Sequence, residues 1–291
     1  GGTAWDMTNR KRVGEQQLDL LVIDEAGQFS LANTIGVAMS AKRILLLGDP
    51  QQLPQVSQGI HPAPVDGSAL GHVIGGLSVL PDAYGYFLEE SRRMDEAVTA
   101  PVSRLSYDGQ LRSHASTRGR MLEGVTPGLH PVSVSHVDNS TFSSEEADEV
   151  VALVRQHLGA LWTAEVGTAP KPLTEDDVIV VTPYNAQVEL LLKRLDAAGF
   201  QRVQAGTVDK FQGREAVISI VSLAASSADD VPRGLDFLLS RNRLNVSISR
   251  AKWAAYLVYS PALLDSLPQT ADGLATLSRF IRLTEGAVTA S

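Results

Sequence analysis

Five apolar runs constrain the fold of this chain more than anything else in it. Residues 18–23, 44–47, 178–181, 217–221 and 255–259 are rich in Leu, Ile and Val, and each is bounded by polar or turn residues. A strand with one face in water alternates apolar with polar residues. A run without alternation needs cover on both faces, as in a parallel sheet between helices. Helical segments fall between the runs. Ser143 with Glu146 reads as a capping box ahead of Ala147, Val150, Val151, Val154, Leu158 and Leu161 at helical spacing. A second helix is expected to take Thr182 as N-cap and Pro183 as its first residue, to place Val188, Leu191, Leu192 and Leu195 on one face, and to stop at Gly199. Val132 and Val134 suggest a strand with one face less buried. Residues 57–76 and 163–175, broken by Gly and Pro, read as loops, and 224–230 reads as a surface loop. The expectation is an α/β fold of parallel sheets flanked by helices.

With 291 residues and 44% apolar content, the chain can build one large domain or two of ordinary size. No apolar stretch approaches the roughly 18 residues of a membrane span, and no leader-like segment opens the chain, so a cytoplasmic protein is expected. There is no cysteine, and the six histidines form no i, i+4 pair, which argues against a structural metal. A formal net charge of −8 speaks against coating duplex nucleic acid by bulk electrostatics but leaves room for a local basic groove. Residue 1 is Gly, and the first strand runs directly into an acidic pair. The expectation is that the chain begins inside a domain, as the C-terminal piece of a longer protein.

Ligands of open α/β sheets bind beyond the carboxyl ends of the strands, and chemistry-bearing residues gather there in this sequence. Asp24-Glu25-Ala26-Gly27-Gln28 follows the first run. In nucleotide hydrolases an aspartate so placed holds Mg²⁺, and its neighbour positions the attacking water. Alone, the pair reads equally as an acidic helix start. Gly48-Asp49-Pro50-Gln51-Gln52-Leu53-Pro54-Gln55 follows the second run, and a mere turn would not need the glutamines, whose amides can meet a terminal phosphate. Arg92 and Arg93, in Leu88–Met94, are expected at a helix start. Arg250 lies in Leu244–Lys252. Each reads as a solvated charged face or as a guanidinium that neutralises a transferred phosphoryl group. Gly206-Thr207-Val208-Asp209-Lys210-Phe211-Gln212-Gly213-Arg214-Glu215 reads as a loop with a helical turn. No G-x-x-x-x-G-K-[ST] phosphate cradle occurs anywhere.

In order, Val22–Gln28, Leu47–Gln55, Leu88–Met94, Gly206–Glu215 and Leu244–Lys252 resemble motifs II, III, IV, V and VI of superfamily 1 helicases. Thr182-Pro183-Tyr184-Asn185-Ala186-Gln187 resembles the T-P-Y-x-x-Q element of the 1B branch, which contains the nonsense-mediated-decay helicases and the Okazaki-fragment nuclease-helicases. The resemblance implies a RecA-like P-loop NTPase fold, with half of one such domain in residues 1–85, a complete second domain in 86–265 and a tail in 266–291. It implies ATP and Mg²⁺ as cofactors and single-stranded nucleic acid as the track, with DNA the first candidate and RNA the second. Carried over residue by residue, Asp24 resembles the Mg²⁺ ligand, Glu25 the water-activating residue and Gln52 the γ-phosphate sensor. Arg93 and Arg250 resemble the two arginine fingers, Glu215 the ribose contact and Gly213 the glycine whose backbone approaches the phosphates. Asp49 and Gln28 are further nucleotide-site candidates, and Thr182 and Thr207 match positions near the nucleic-acid backbone. Motif IV in many relatives reads Gln-Tyr-Arg-Met, whereas Ser91 and Arg92 stand in its first two places here. Without the cradle and its lysine, the chain is expected to need the upstream half of the same polypeptide to hydrolyse ATP. A non-catalytic nucleic-acid-binding or regulatory protein with the same fold is the alternative; retention of the acidic pair and both arginines speaks against it.

Overall fold

The computed structural model describes residues 1–53, 61–65 and 67–285. Pro54 and Gln55 of the second acidic segment, part of the loop expected at 57–76, and the last six residues of the expected tail lie outside the described residues. The chain divides into two compact units, 1–87 and 88–291.

Unit 1 holds helices α1 (Ala4–Thr8), α2 (Leu31–Ala38) and α3 (Ala69–Ile74) and the parallel strands β1 (Leu21–Ile23) and β2 (Ile44–Leu46). Ser68 caps α3 within the stretch expected to be loop. Leu21, Ile23, Ala26, Val37, Leu70 and Ile74 form the core. The expectation that these two runs are buried on both faces fails. Val22 and Leu45 are 49% and 44% exposed, because among the described residues β1 and β2 pair only with each other and helices cover only one face. Beyond the strands the two turns interlock. The Ala26 N–H donates to the Leu47 carbonyl at 2.7 Å. A Cβ on Gly27 would stand 2.5 Å from the Asp49 carbonyl oxygen, and one on Gly48 would stand 2.8 Å from the Ala26 nitrogen.

Unit 2 adds the strands β3 (Glu90–Ser91), β4 (Arg112–Ser113), β5 (Met121–Leu122), β6 (Gly128–Ser133), β7 (Leu161–Thr163), β8 (Lys171–Pro172), β9 (Val178–Thr182), β10 (Gln204–Thr207), β11 (Ala216–Ser222) and β12 (Ala251–Tyr259). Its helices are α4 (Glu96–Ser106), α5 (Ser144–His157), α6 (Asn185–Ala197), α7 (Leu235–Leu238), α8 (Arg241–Ile248) and α9 (Ala271–Glu285). The main sheet runs β10-β9-β11-β12-β6, parallel throughout. Here the non-alternating runs are covered on both faces. Val178, Val180, Ile218 and Ile220 pack with α5 and α6, while Ser219 on the opposite face hydrogen-bonds the Ser247 carbonyl of α8 at 2.9 Å. Part of the expected tail is α9, whose Phe280 is buried edge-on to Tyr259, the ring centroids 5.5 Å apart.

Several local expectations are corrected. Thr182 still pairs with Thr207 in the sheet, so α6 begins at Asn185 with Tyr184 as its N-cap. Helix α5 ends at His157, and Gly159, with φ +88°, turns the chain so that Leu161 opens β7 instead of extending the helix. Arg92 and Arg93 lie between β3 and α4, whose N-cap is Asp95. Ala224, Ala225 and Ser226 are buried, not a surface loop.

The expected capping box is half formed. The Ser143 hydroxyl accepts from the Glu146 N–H at 3.1 Å, but the Ser143 N–H donates to Gln187 Oε1 at 2.8 Å. The Glu146 side chain turns inward and is fully buried. Its Oε2 accepts from the Ser222 hydroxyl at 2.6 Å and the Ala224 N–H at 2.9 Å, and its Oε1 lies 3.1 Å from His136 Nε2. His136 Nδ1 meets the Ser226 hydroxyl at 2.7 Å, and Gln187 Nε2 donates to Ser222 Oγ at 3.0 Å. Removing one member of such a buried set leaves its partners desolvated and unpaired. Glu146→Ala is therefore expected to cost about 3 kcal/mol or more, read as a lower denaturation midpoint, and Glu146→Gln, which keeps one acceptor, to cost less. Equal midpoints for all three proteins would contradict this. In unit 1, Gly27→Ala forces its turn away from Asp49, at a cost of about 1–3 kcal/mol, and limited proteolysis should then cut unit 1 before unit 2.

Candidate functional site

In unit 1, Asp24 and Glu25 leave the end of β1 exposed to solvent. Asp24 Oδ1 accepts the Glu25 N–H at 3.0 Å, and Glu25 takes a left-handed φ of +53°. A non-glycine residue adopts that region at a cost, which the tight approach of the Gly48 turn imposes. Gln28 Nε2 donates to Glu25 Oε2 at 3.3 Å. Asp49 shapes the neighbouring turn by accepting the Gln51 N–H at 2.9 Å. The two glutamines then divide. Gln51 is buried and donates to the Leu77 and Ser78 carbonyls at 3.3 and 3.2 Å, whereas Gln52 is partly exposed. Asp24, Glu25, Gln28, Asp49 and Gln52 thus share the carboxyl end of β1 and β2. Their oxygen donors suit a hard cation such as Mg²⁺, which is commonly held by one or two carboxylates with the rest of its shell from water and phosphate. Among the described residues no group of three or more metal-ligating side chains forms a closed cage.

In unit 2 a second set forms at the opposite end of its sheet, where β11 and β12 begin. Arg93 Nε donates to Glu215 Oε2 at 3.0 Å, and its Nη1 donates to the Ser249 carbonyl at 3.1 Å. Lys252 Nζ stands 2.8 Å from Glu215 Oε1. Partial burial pushes the Glu215 carboxyl up, but hydrogen bonds and charge from Lys252 and Arg93 outweigh it and hold the group below the usual range. Arg250 is no solvated face. It is 2% exposed, its Nε donates to the Val246 carbonyl at 3.0 Å and its Nη1 to the Arg214 carbonyl at 3.1 Å. Gly213, with φ +74°, has open space where a Cβ would lie, so its backbone is approachable.

Thr182 and Thr207 end the adjacent strands β9 and β10 at the carboxyl edge. Thr207 is partly exposed. Thr182 is fully buried, and its hydroxyl has no hydrogen-bond partner among the described residues.

Sequence reasoning missed three contributors. Lys252 stood inside a quoted motif without a role, and its spacing from Arg250 places it on β12 facing Glu215. Arg120 has no sequence signal, being an isolated arginine. It nevertheless ties the turn that carries Arg93, donating through Nη1 to the Arg93 carbonyl and through Nη2 to the Arg92 carbonyl at 3.1 Å. Gln187, the last residue of the T-P-Y-x-x-Q element, is buried and locks α5 to β11.

Two models of the AAA domain match this chain, one over residues 78–261 and the other over residues 6–58. Curated relatives include DNA-binding protein SMUBP-2 of Mesocricetus auratus, 29% identical over 83% of this chain and 25% of its own length. DNA replication ATP-dependent helicase/nuclease DNA2 of Gallus gallus is 28% identical over 84% of this chain and 23% of its own length. ATP-dependent helicase upf1 of Schizosaccharomyces pombe is 26% identical over 87% of this chain and 28% of its own length. The chain spans about a quarter of the length of these relatives. With its two stretches matching the AAA domain and its motifs in order, the chain belongs to the AAA-domain family of superfamily 1 helicases.

Proposed function

We propose that this chain is the motor portion of an ATP-dependent helicase or translocase that moves on single-stranded nucleic acid, with DNA as the first candidate track and RNA as the second. The observation that carries the reading is the meeting of Arg93 with Glu215 and the Ser249 carbonyl, 122 and 156 residues further along the chain. Three separate motifs are thereby gathered at one point, as phosphoryl transfer requires and a solvated charged surface does not. In this reading Asp24 would hold Mg²⁺, which when bound neutralises phosphate charge. Glu25 orients the attacking water and accepts its proton, and Gln52 contacts the terminal phosphate. Arg93 and Arg250 stabilise the charge that develops on the transferred group, Glu215 accepts from the ribose hydroxyls, and Gly213 presents its backbone to the phosphates. Thr207 lies on the nucleic-acid side.

The missing cradle is assigned to an upstream half of the same polypeptide. Support comes from unit 1, where Leu20, Val22, Leu45 and Leu47 are all more than two-fifths exposed. A parallel sheet of this composition needs cover on that face, which further strands and helices of the same domain would supply.

The chain by itself is expected not to hydrolyse ATP, and turnover that Glu25→Gln leaves unchanged would overturn the assignment of the acidic pair. Joined to the upstream half, the protein should show ATPase activity stimulated by single-stranded DNA. There Glu25→Gln should keep nucleotide binding and abolish turnover, and Arg250→Ala should slow turnover by roughly a thousandfold or more, measured as phosphate release.

A further inference from the structure

A second basic cluster in unit 2 lies apart from the Arg93 set, at the carboxyl edge of the main sheet. The guanidinium carbons of Arg233 and Arg243 stand 3.8 and 4.2 Å from the centroid of the same ring, Phe237. Tyr184, which follows the end of β9, tilts against that ring at 6.0 Å. Arg243 also borders a small cavity with Thr182, Pro183 and Val208, which places the cluster beside the ends of β9 and β10. Arg233 is exposed, and Phe237 and Arg243 are partly so.

Two like charges gathered on one ring repel each other, and the attraction of each cation to the ring is modest at a site open to water. The usual remedy is a carboxylate in contact. Among the described residues neither guanidinium forms an ion pair or donates a side-chain hydrogen bond, in contrast to Arg93, Arg120 and Arg250, which all donate to protein acceptors. Burial disfavours the Arg243 cation, the nearby Asp209 charge favours it, and Arg233 works against it. Tyr184 responds to the same pair, since burial pushes its hydroxyl up while both arginines pull it down. Guanidinium groups remain charged under these conditions. Phe237 therefore holds two planar, unsatisfied donor groups in a fixed position beside the strand ends. Planar donors with no protein acceptor match the paired oxygens of a phosphodiester.

We propose that Arg233 and Arg243, held on Phe237, form a phosphate-contacting site for the backbone of single-stranded nucleic acid. The site rests on the helicase reading and adds two named residues to its nucleic-acid surface. Phe237 is a positioning residue here, since its ring is covered by the arginines and its function is to fix them.

The test is titration of the chain with a short labelled oligothymidylate, followed by anisotropy at several salt concentrations, with thermal unfolding of every variant as a control on folding. Arg233→Ala, at an exposed turn where the side chain stacks on Phe237 and, among the described residues, forms no ion pair, should weaken binding several-fold. It should also lower the slope of log affinity against log salt by about 0.7, the value for one phosphate contact on a single strand. The double Arg233→Ala, Arg243→Ala variant should lower the slope by about 1.4. Arg233→Lys should restore the slope but not the full affinity, because it keeps the charge and loses the planar fork. A role confined to folding would not give that rescue. Oligothymidylate binding by the native chain with the slope unchanged in both alanine variants would overturn the site and leave the helicase reading standing. No binding by the native chain would overturn both.

Discussion

One buried side chain, Glu146, sets the conditions for most of unit 2. A carboxyl group removed from water must find hydrogen-bond partners or destabilise the fold, and Glu146 finds three on two other segments: His136 beyond β6, and Ser222 with the backbone of Ala224 at the end of β11. Ser222 in turn accepts from Gln187 at the start of α6, and His136 contacts Ser226 beyond β11. The chain leaving β9, the start of α5 and the chain leaving β11 are thus joined through one acid. Ala224 takes a left-handed φ of +68° to present its N–H, a conformation an alanine adopts only when its surroundings fix it. The polar set lies next to the carboxyl edge, where Gln187 ties it to the start of α6, just beyond Tyr184.

Parallel strands separate the candidate chemistry into two ends. Thr182 and Thr207 close β9 and β10, whereas Glu215 and Arg250 immediately precede β11 and β12. Between Thr207 and Ala216 the chain must return about 20 Å along the sheet, at roughly 3.3 Å per residue, and it has eight residues in which to do so. A 3₁₀ turn at Val208–Phe211 anchors the return through the buried Val208 and Phe211. This segment is therefore close to taut, and its two ends report on opposite edges of one sheet.

The sequence made the main sheet legible because its strands are covered on both sides, and a missing alternation is the direct signature of that cover. The same signature misled in unit 1. Composition records that a run is apolar, and cannot record whether the elements that would cover it lie within the chain. Helix boundaries shifted where sheet pairing competed with capping chemistry, as at Thr182, whose backbone remains in the ladder despite the Pro183 that follows. Among the site candidates, Asp24, Glu25 and Asp49 were legible because a strand end dictates where the next residues must lie. Arg250 was ambiguous, since sequence alone does not distinguish an exposed arginine from a buried one; its burial depends on carbonyls 4 and 36 residues away. Glu146 looked like a capping residue because its spacing from Ser143 fits both roles, and only the third dimension chooses between them.

Charge on this chain is sorted by environment and not by amount. The formal total is −8, yet five of the cations of unit 2 form two groups of different chemistry. At the amino edge of the main sheet, Arg93, Lys252 and Arg250 are engaged by Glu215 and by backbone carbonyls, which fixes their geometry but leaves each committed to a protein acceptor. An incoming phosphate there must compete with those acceptors, so the set is positioned and selective. At the carboxyl edge, Arg233 and Arg243 are fixed by an aromatic ring that takes none of their donors. A phosphate there displaces only water. The first arrangement suits a contact that must form at one stage of a reaction, and the second suits one that must form with any nucleotide presented to it.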